Sequence, residues 1–383
     1  MTNHPAPNPA TIPMPPAPGP LAVFASFSGT GGVERMLINL IRGFVDLGQA
    51  VDLVLVRAES PHLGRLPEAV TRIELTTNHT LLAAPALARY LRARRPAALL
   101  AAKDRAGRTA VLARALAGTG TPLALRLGTH LSTAMAGRAA VSRWLRYLPI
   151  RLLYPRLDRI IAVSTGVAQD TARIARLPAA SIAVIRNPVI TPELAVQAAR
   201  PCPHPWLNAP GPPVICAAGR LQRQKDFPTL IRAFARVRAG RDCRLLILGE
   251  GNARPALAAL IAELGLGEQV ALVGFQSNPY RYLARAALFV LSSAWEGSPN
   301  VLTEALALGV PVVATDCPSG PAEVLDGGRF GPLVPVGAVD AMAAAMAATL
   351  DRPLPAAVLR SAVSEYEQGR SARHYLEMMG LIP

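Results

Sequence analysis

Short apolar runs alternate along most of the chain with stretches in which apolar residues recur every three or four positions. The first run, LAVFASF at 21–27, has the length and composition of a buried strand. An amphipathic helix follows and ends at Gly48, with its apolar face at Val33, Met36, Leu37, Leu40, Ile41, Phe44 and Val45. Because strands and helices alternate in this way, the pattern predicts an α/β fold with parallel sheets.

This alternation occurs twice. The predicted strands lie at 21–27, 51–58, 96–102, 122–127, 159–164 and 181–187 in the first half, and at 214–220, 243–251, 269–275, 287–293 and 310–316 in the second. A chain of 383 residues also exceeds the size that one hydrophobic core supports. The sequence therefore predicts two doubly wound, Rossmann-like domains that face each other across a cleft.

Proline marks the boundaries of these domains. Residues 1–20 are rich in proline, and 188–213 contain eight prolines without a clear helical or strand period. We expect a flexible tail at 1–20, a first domain over 21–187, a linker over 188–213 and a second domain over 214–352. A helical segment over 353–383 can cross back to the first domain.

Composition narrows the class of protein. The chain is 51% hydrophobic and 17% charged, which is typical of a globular protein, and its 40 basic and 25 acidic residues give a net charge of +15. The arginines are spread along the chain, and aromatic residues make up only 5%, so stacking surfaces for nucleic acid are scarce. We expect an anionic membrane surface as the better partner for this charge, and no nucleic acid.

The sequence also indicates a cellular location. The four cysteines have no metal-binding spacing, the N-terminus lacks an export signal, and no apolar stretch is long enough to span a bilayer. We expect a cytoplasmic protein, peripheral on the inner face of the membrane if 137–159 contacts lipid. Arginines alternate there with aromatic and aliphatic residues, as in interfacial helices. A helix packed on its own sheet is the alternative, and Pro149 and Pro155 argue against one continuous helix.

A glycine-rich turn follows the first strand. In FSGTGGVERML, residues 27–37, Gly29, Gly31 and Gly32 allow backbone N–H groups to face a ligand at the start of a helix. The turn lacks the G-x-G-x-x-G spacing of dinucleotide sites and the Lys-Ser or Lys-Thr pair of a P-loop. It indicates a phosphate-bearing ligand without identifying it.

Two cations follow the first strand of the second half. In AGRLQRQKDF, residues 218–227, Arg220 and Lys225 can neutralise charge on a leaving diphosphate. Lys225 is one of only two lysines, with Lys103, in a chain that otherwise uses arginine. A solvated basic turn explains this stretch equally well when it is taken alone.

Two glutamates flank the start of a later helix. In SSAWEGSPNVLTEALALGVPVVATD, residues 292–316, we expect Ser298 to cap the helix and Pro299 to begin it. Glu296 precedes this helix, and Glu304 lies in its second turn on the face of Asn300. Two such carboxylates can accept hydrogen bonds from the hydroxyls of a sugar and a ribose. A solvated helix with one loop acid is the alternative for an isolated pair.

Together these stretches resemble glycosyltransferase family 4, the retaining sugar-nucleotide transferases with two Rossmann-type domains known as GT-B. The resemblance rests on GTGGVERML, GRLQRQKDF, LILGEG and VGFQSNPYRYLARAALFVLSSAWEGSPNVLTEALALGVPVVATDCPSGPAEVL. It covers nearly the whole chain from about residue 20, and its most specific part is the pair Glu296 and Glu304, separated by seven residues.

The resemblance implies a role for individual residues. Arg220 and Lys225 match the pair that holds the donor diphosphate, Glu304 matches the acid that binds the nucleotide ribose, and Glu296 matches the acid that faces the donor sugar. We count Arg220, Lys225, Glu296 and His130 as catalytic candidates. The donor-binding candidates are Gly31, Gly32, Gly251, Phe275, Ser298, Pro299, Asn300, Val301, Leu302 and Glu304.

The acceptor side has weaker candidates. His130, in RLGTHLST, matches a histidine near the donor sugar, although its neighbours depart from the family pattern; a structural role is the alternative. Lys103 and Asp104, at another strand end, can contact the acceptor, but an ordinary surface loop is the simpler interpretation. No D-x-D occurs, so we expect transfer without a metal ion or other cofactor, with a nucleotide sugar as co-substrate.

The resemblance implies a retaining transferase that moves a hexosyl unit from a nucleoside diphosphate sugar, with UDP as the expected nucleotide, to a glycan or lipid-linked acceptor in cell-surface polysaccharide or lipopolysaccharide synthesis. Two alternatives remain. A dinucleotide-dependent oxidoreductase would use Glu59 as its ribose acid, but it leaves Arg220, Lys225 and the two glutamates unexplained. A noncatalytic, basic membrane-surface or nucleic-acid-binding protein would have no need for Glu296 and Glu304.

Overall fold

The computed structural model describes residues 19–29, 32–75, 77 and 79–383, so the tail up to residue 18 and Gly31 lie outside the described residues. Within these limits, the first half forms a parallel sheet of seven strands in the order β3-β2-β1-β4-β5-β6-β7. The strands are β1 Leu21–Phe27, β2 Val51–Ala58, β3 Thr71–Glu74, β4 Ala98–Ala102, β5 Leu123–Leu127, β6 Arg159–Ala162 and β7 Ile182–Val184.

The second half forms a parallel sheet of six described strands in the order β10-β9-β8-β11-β12-β13. These are β8 Val214–Ala218, β9 Arg244–Leu248, β10 Val270–Gly274, β11 Leu288–Leu291, β12 Val312–Thr315 and β13 Leu333–Val334. In both sheets the strand order reverses beside the first strand of the half. Such a switch point opens a crevice at the carboxyl ends of the strands, where doubly wound folds bind ligands.

Helices cover the faces of both sheets. The described α-helices of the first half are α1 Gly32–Asp46, α2 Ala84–Arg94, α3 Asp104–Ala117, α4 Leu131–Ala134, α5 Ala140–Leu153 and α6 Thr165–Ala175. Those that follow are α7 Glu193–Ala199, α8 Phe227–Gly240, α9 Arg254–Glu263, α10 Tyr280–Leu283, α11 Asn300–Ala307, α12 Pro321–Val324, α13 Val339–Asp351, α14 Ala356–Ser361 and α15 Gln368–Met378.

The predicted fold class is confirmed, and each predicted strand is present with bounds shifted by a few residues. Two strands were missed. β3 lies at a sheet edge, where three of its four residues are exposed and leave no apolar run to detect. β13 has only two residues. As expected, residues 137–159 do not form one continuous helix: α5 ends before Pro155, although it continues through Pro149.

Buried apolar side chains fill both faces of each sheet. In the first sheet, successive β1 residues alternate between two cores: Phe24 points to the face covered by α2 and α3, and Phe27 to the face covered by α1. The second sheet is covered in the same way, with Leu245 and Leu246 on opposite faces. Successive side chains of a strand point to opposite faces of the sheet, and here both faces are buried. Such strands therefore appear in the sequence as continuous apolar runs.

The last helix, α15, packs on the first domain. Tyr375 and Leu376 are fully buried in the core that α1 covers, and the rings of Tyr375 and Phe44 meet edge to face with centroids 6.3 Å apart. The two helices approach closely at Gly43, where an added Cβ would lie 2.6 Å from the Cβ of Ala372. The chain therefore ends against the domain in which it began.

We expect Gly43→Ala to lower the free energy of unfolding by about 1–3 kcal/mol, the usual cost of overpacking a close contact. Urea unfolding measures the change. Gly369→Ala is the matched control, because an added Cβ there meets no atom within 4 Å. Equal stability of the two variants would contradict the close approach of α1 and α15.

Candidate active site

The carboxyl ends of the two sheets line a cleft that contains a cavity of ≈ 530 Å³. The first domain contributes the start of α1 and the turn after β5. The second contributes the turns that follow β8, β9, β10 and β11. Of the predicted site residues, the cavity brings together Gly32, Arg220, Lys225, Phe275, Glu296, Ser298, Pro299, Asn300, Val301 and Glu304.

Lys225 and Glu296 form an ion pair in the wall of this cavity. Lys225 Nζ donates to Glu296 Oε1 at 2.5 Å, and Ser293 Oγ donates to the same oxygen at 2.7 Å. The side chain of Lys225 also lies against Gly219, where an added Cβ would come within 2.8 Å of its Cε. The residues expected to hold the diphosphate and the donor sugar therefore contact each other directly.

Arg220 occupies the same turn but remains exposed. Among the described residues it has no hydrogen bond or ion pair. The rest of the turn is fixed, because Gln224 Nε2 donates to the carbonyl of Trp295 at 2.9 Å and Ser292 Oγ donates to the carbonyl of Lys225 at 2.7 Å. The turn thus presents one free guanidinium to the cavity from a rigid support.

Glu304 is buried and pairs with Arg35 across the cleft. Tyr280 donates to the same carboxylate oxygen at 3.4 Å, and the Arg35 guanidinium lies 5.4 Å from the centre of the Tyr280 ring. Burial opposes the charge of Arg35, but Glu304 and Tyr280 raise its pKa above the usual value. The other oxygen of Glu304, Oε2, is buried without a hydrogen-bond partner among the described residues.

Two expectations for the start of α11 were wrong. Pro299 precedes the helix rather than beginning it, and Ser298 does not cap it, since Ser298 Oγ is buried without a described partner. The helix begins at Asn300, whose Oδ1 accepts a hydrogen bond from Asn187 Nδ2 at 2.7 Å. Val301 lines the cavity, whereas Leu302 is fully buried in the core.

The remaining donor candidates differ in position. Gly32 begins α1 and lines the cavity. Phe275, which is half-exposed, also lines the cavity. Gly251 does not line it; an added Cβ there would lie 2.3 Å from the carbonyl oxygen of Leu221, so this glycine allows two turns to pack closely. Gly31 lies outside the described residues.

His130 lies beside the cavity but does not line it, although Thr129 does. Its Nδ1 is 2.9 Å from Thr133 Oγ1 and 3.6 Å from the buried carboxylate of Asp170. Burial opposes the charge of Asp170, but hydrogen bonds from Ser132 and Arg173 are among the contacts that together outweigh it and lower the pKa of this acid. The contacts fix the imidazole ring, and a role in catalysis stays a prediction.

Sequence reasoning missed the residues that join the domains. Glu323 accepts hydrogen bonds from the backbone N–H groups of Thr165 and Gly166 at 2.8 and 3.0 Å, and from Arg186 at 2.6 Å. It thereby caps α6 of the other domain. Neither Glu323 nor Arg35 lies at a spacing from other polar residues that would have predicted its contact with the other domain, although Arg35 belongs to the glycine-rich motif. Across the described residues, no group of three or more His, Cys, Asp or Glu side chains is placed to hold a metal ion.

Two doubly wound domains that meet at the carboxyl ends of their strands define the GT-B architecture. Solved structures agree. Anabaena HepE, solved with UDP and glucose, superposes over 94% of this chain and 100% of its own with a TM-score of 0.76 at 18% identity. The lipopolysaccharide outer core galactosyltransferase WaaB, in its apo form, superposes over 94% of this chain and 98% of its own with a TM-score of 0.70 at 20% identity.

Family models identify the group more closely. The model for "Glycosyltransferase Family 4" matches residues 30–192, and the model for "Glycosyl transferases group 1" matches 212–352. The two matches cover most of the chain. The protein therefore belongs to the family 4, or group 1, glycosyltransferases, which leaves the dinucleotide-dependent oxidoreductase without support.

Two curated relatives are named as glycosyltransferases. A Campylobacter jejuni N-acetylgalactosamine-N,N'-diacetylbacillosaminyl-diphospho-undecaprenol 4-alpha-N-acetylgalactosaminyltransferase is 37% identical over 187 residues, 49% of this chain and 49% of its own. The lipopolysaccharide 1,6-galactosyltransferase of Salmonella typhimurium is 32% identical over 190 residues, 48% and 50% respectively. The matched part thus spans about half the length of these two relatives.

We expect Arg35→Met to lower the free energy of unfolding by about 3 kcal/mol, because it leaves the buried Glu304 carboxylate without its cation. The double variant Arg35→Met/Glu304→Leu should recover much of this loss, since it removes both charges. Urea unfolding of the three proteins measures the effect.

Arg42→Met is the matched control on the same helix. Arg42 pairs with the exposed Glu193, so its loss should cost at most about 1 kcal/mol. An effect of Arg35→Met no larger than that of Arg42→Met would show that the pair across the cleft does not stabilise the fold.

Proposed function

We propose that this protein is a retaining glycosyltransferase that moves a hexosyl unit from a nucleoside diphosphate sugar to a glycan or lipid-linked acceptor in cell-surface polysaccharide synthesis. The observation that carries the proposal is the set of Arg220, Lys225, Glu296 and Glu304 around one cavity between two nucleotide-type domains. The names of the relatives support the reaction class, and the solved complexes of HepE with UDP and with UDP-glucose support UDP as the nucleotide.

Glu304 is the proposed ribose ligand. Its pairing with Arg35 means that a ribose hydroxyl has two routes to this carboxylate. It can donate to the unpartnered Oε2, which a small rotation of the buried side chain has to uncover, or it can displace Arg35. The first route costs less, because displacement would leave the buried Glu304 carboxylate without its cation.

Cations and backbone N–H groups are the proposed diphosphate ligands. Negative charge grows on the leaving oxygen as its bond to the sugar breaks, so groups fixed around that oxygen stabilise the transition state more than the ground state. Arg220 can form a bidentate contact with the diphosphate, and Lys225 supplies a compact positive charge. The N-termini of α1 and α11, which meet where Asn300 Nδ2 donates to the carbonyl of Gly32 at 3.5 Å, add partial positive charge at the cavity. We propose that these groups suffice without a metal ion.

Glu296 is proposed to position the donor sugar rather than to attack it. Its Oε1 already accepts hydrogen bonds from Lys225 and Ser293, and this neutralises much of its charge. No described group donates to Oε2, which leaves that oxygen for sugar hydroxyls. We propose that the acceptor hydroxyl attacks from the face on which the diphosphate departs, which retains configuration without a protein nucleophile.

Calorimetry with UDP tests the two carboxylates. We expect Glu304→Gln to weaken UDP binding by about 10-fold to 100-fold, the value of a hydrogen bond to a charged group. Glu296→Gln should spare UDP affinity and lower the rate of sugar transfer or of donor hydrolysis at least tenfold. Thermal melting of each variant controls for folding. Equal UDP affinity in the parent and both variants would contradict the assignment.

We also propose that α5 rests on an anionic membrane. Val141, Trp144, Leu145 and Leu152 lie 53–69% exposed along one side of this helix. Arg138 and Arg143 are exposed beside them, whereas Arg146 and Arg151 turn inward to Asp104 and to the carbonyl of Ile174. Apolar side chains flanked by cations match an anionic bilayer surface. None of the described helices is long and apolar enough to cross a bilayer.

Flotation with vesicles that contain anionic lipid tests this contact. We expect the parent protein to float at low salt. The double variant Trp144→Ser/Leu145→Ser should bind vesicles at least about tenfold more weakly, because it removes apolar area that the bilayer would bury. Leu116→Ser, an exposed position on α3, is the control and should bind like the parent. Failure of the parent to float, or equal flotation of the double variant, would remove the proposal.

A further inference from the structure

A second cavity, of ≈ 400 Å³, lies in the first domain at the carboxyl ends of β1, β4 and β5. One wall is formed by α5, which contributes Arg146 and Ile150, and by Tyr154, which directly follows this helix. Val33, Gly128 and Thr129 line both this cavity and the one between the domains, so the two meet there. A molecule bound in the second cavity therefore has a direct path to the proposed donor sugar.

The lining of this cavity is strongly cationic. It contains Lys103, Arg105, Arg126 and Arg146, against a single acidic residue, Asp104. The carboxylate of Asp104 is already fully engaged. Its Oδ2 accepts a hydrogen bond from Arg108 at 2.9 Å and forms an ion pair with Arg146 at 2.8 Å, and its Oδ1 accepts a hydrogen bond from Tyr154 at 2.9 Å. Asp104 therefore does not neutralise the charges of Lys103, Arg105 and Arg126.

Arg126 is the most constrained of these cations. It is only 2% exposed, and among the described residues it has no carboxylate partner. Its Nη2 donates to Asn187 Oδ1 at 2.7 Å, and its Nε has no described partner. Burial lowers the pKa of Arg126, and the neighbouring Tyr375 opposes this only in part. Burying a guanidinium without a counter-ion is energetically unfavourable, and a bound anion would supply the missing counter-ion.

Lys103 is held at the cavity in a conformation that lysine rarely adopts. Its backbone has φ 79° and ψ 155°, and its N–H donates to the carbonyl of Arg126 at 3.1 Å. Much of the side chain is exposed to the cleft, yet desolvation lowers its pKa. Arg126 and Arg220 reinforce this shift, and Glu34 opposes it. Backbone strain of this kind clusters at binding sites, where it sets the direction of a side chain.

We propose that this cavity binds a negatively charged group, a phosphate or a carboxylate, of the acceptor substrate, with Arg126 and Lys103 as its main ligands. The inference rests on the proposed function, since it places the acceptor beside the donor. The charged group orients the acceptor so that a hydroxyl reaches the point where the two cavities meet. An acidic sugar and a phosphate-linked lipid both carry suitable chemistry, and the position of α5 between this cavity and the proposed membrane surface suits the second.

Calorimetry on the full chain, saturated with UDP, tests the cavity. UDP fills the proposed diphosphate site, so added anions report on the second cavity alone. The probes are inorganic pyrophosphate for a diphosphate, glucuronate for an acidic sugar, and glucose as the neutral match for glucuronate. We expect at least one anion to bind and glucose not to bind; the anion that binds more tightly identifies the source of the charge.

Arg126→Gln and Lys103→Gln should each weaken the anion by about 10-fold to 100-fold, as expected for a charge-assisted hydrogen bond. Arg89→Gln, at an exposed position on α2, is the matched control and should bind like the parent. Lys103 is more exposed than Arg126, so Lys103→Gln keeps the test decisive if the buried variant does not fold.

Absence of binding by both anions, or binding that neither variant weakens, would overturn the inference. The proposed function has a separate readout in UDP affinity. If UDP binds in a Glu304-dependent way and no anion binds beside it, the donor site stands and the acceptor inference fails. If the anion binds in an Arg126-dependent way and UDP does not bind, the cavity stands and the proposed function fails.

Discussion

Charge pairing across the cleft is the constraint on which the arrangement of this protein depends. Glu304 and Glu323 belong to the second domain, and their main hydrogen-bond donors, Arg35 and the N-terminus of α6, belong to the first. If the domains moved apart, Glu304 would lose the cation that compensates its burial. Since a buried carboxylate without a partner is strongly unfavourable, these contacts hold the two sheets at the separation that the cavity requires.

The absence of a side chain at Gly297 makes this closeness sterically possible. An added Cβ on Gly297, in the second domain, would lie 2.1 Å from the carbonyl oxygen of Gly128 in the first. Backbone therefore meets backbone beside the site, and Gly128 lines both cavities. A side chain at Gly297 would push the domains apart at the point where donor and acceptor are proposed to react.

A chain of hydrogen bonds links the two cavities. Arg126 donates to Asn187, and Asn187 donates to Asn300, with both distances at 2.7 Å. Arg126 lines the cationic cavity, and Asn300 begins α11 at the cavity between the domains. Occupation of one site can therefore affect the geometry of the other through three polar side chains. Asn187 directly precedes the proline-rich stretch at 188–213, so the chain that joins the two domains begins at this link.

The sequence by itself determined the fold class, the positions of the main strands along the chain and the candidate pair of glutamates, because apolar periodicity and short motifs are local properties of the chain. Local signals were not enough at the start of α11, where Ser298 has the residue type of a cap but lies one residue before the cap position, which Pro299 occupies. They also did not show that α5 continues through Pro149, which a surface helix tolerates since the freed carbonyl of Leu145 can meet water.

Only the tertiary structure decided which charges meet. Arg35 and Glu304 are 269 positions apart, and Lys225 and Glu296 are 71 apart, so no local spacing relates them. The cationic cavity likewise joins Lys103, which follows β4, to arginines from β5, α3 and α5 that look ordinary in a basic chain. Whether such a charge is paired, solvated or buried depends on the packing of distant elements, and this packing is what separates a binding residue from a surface one.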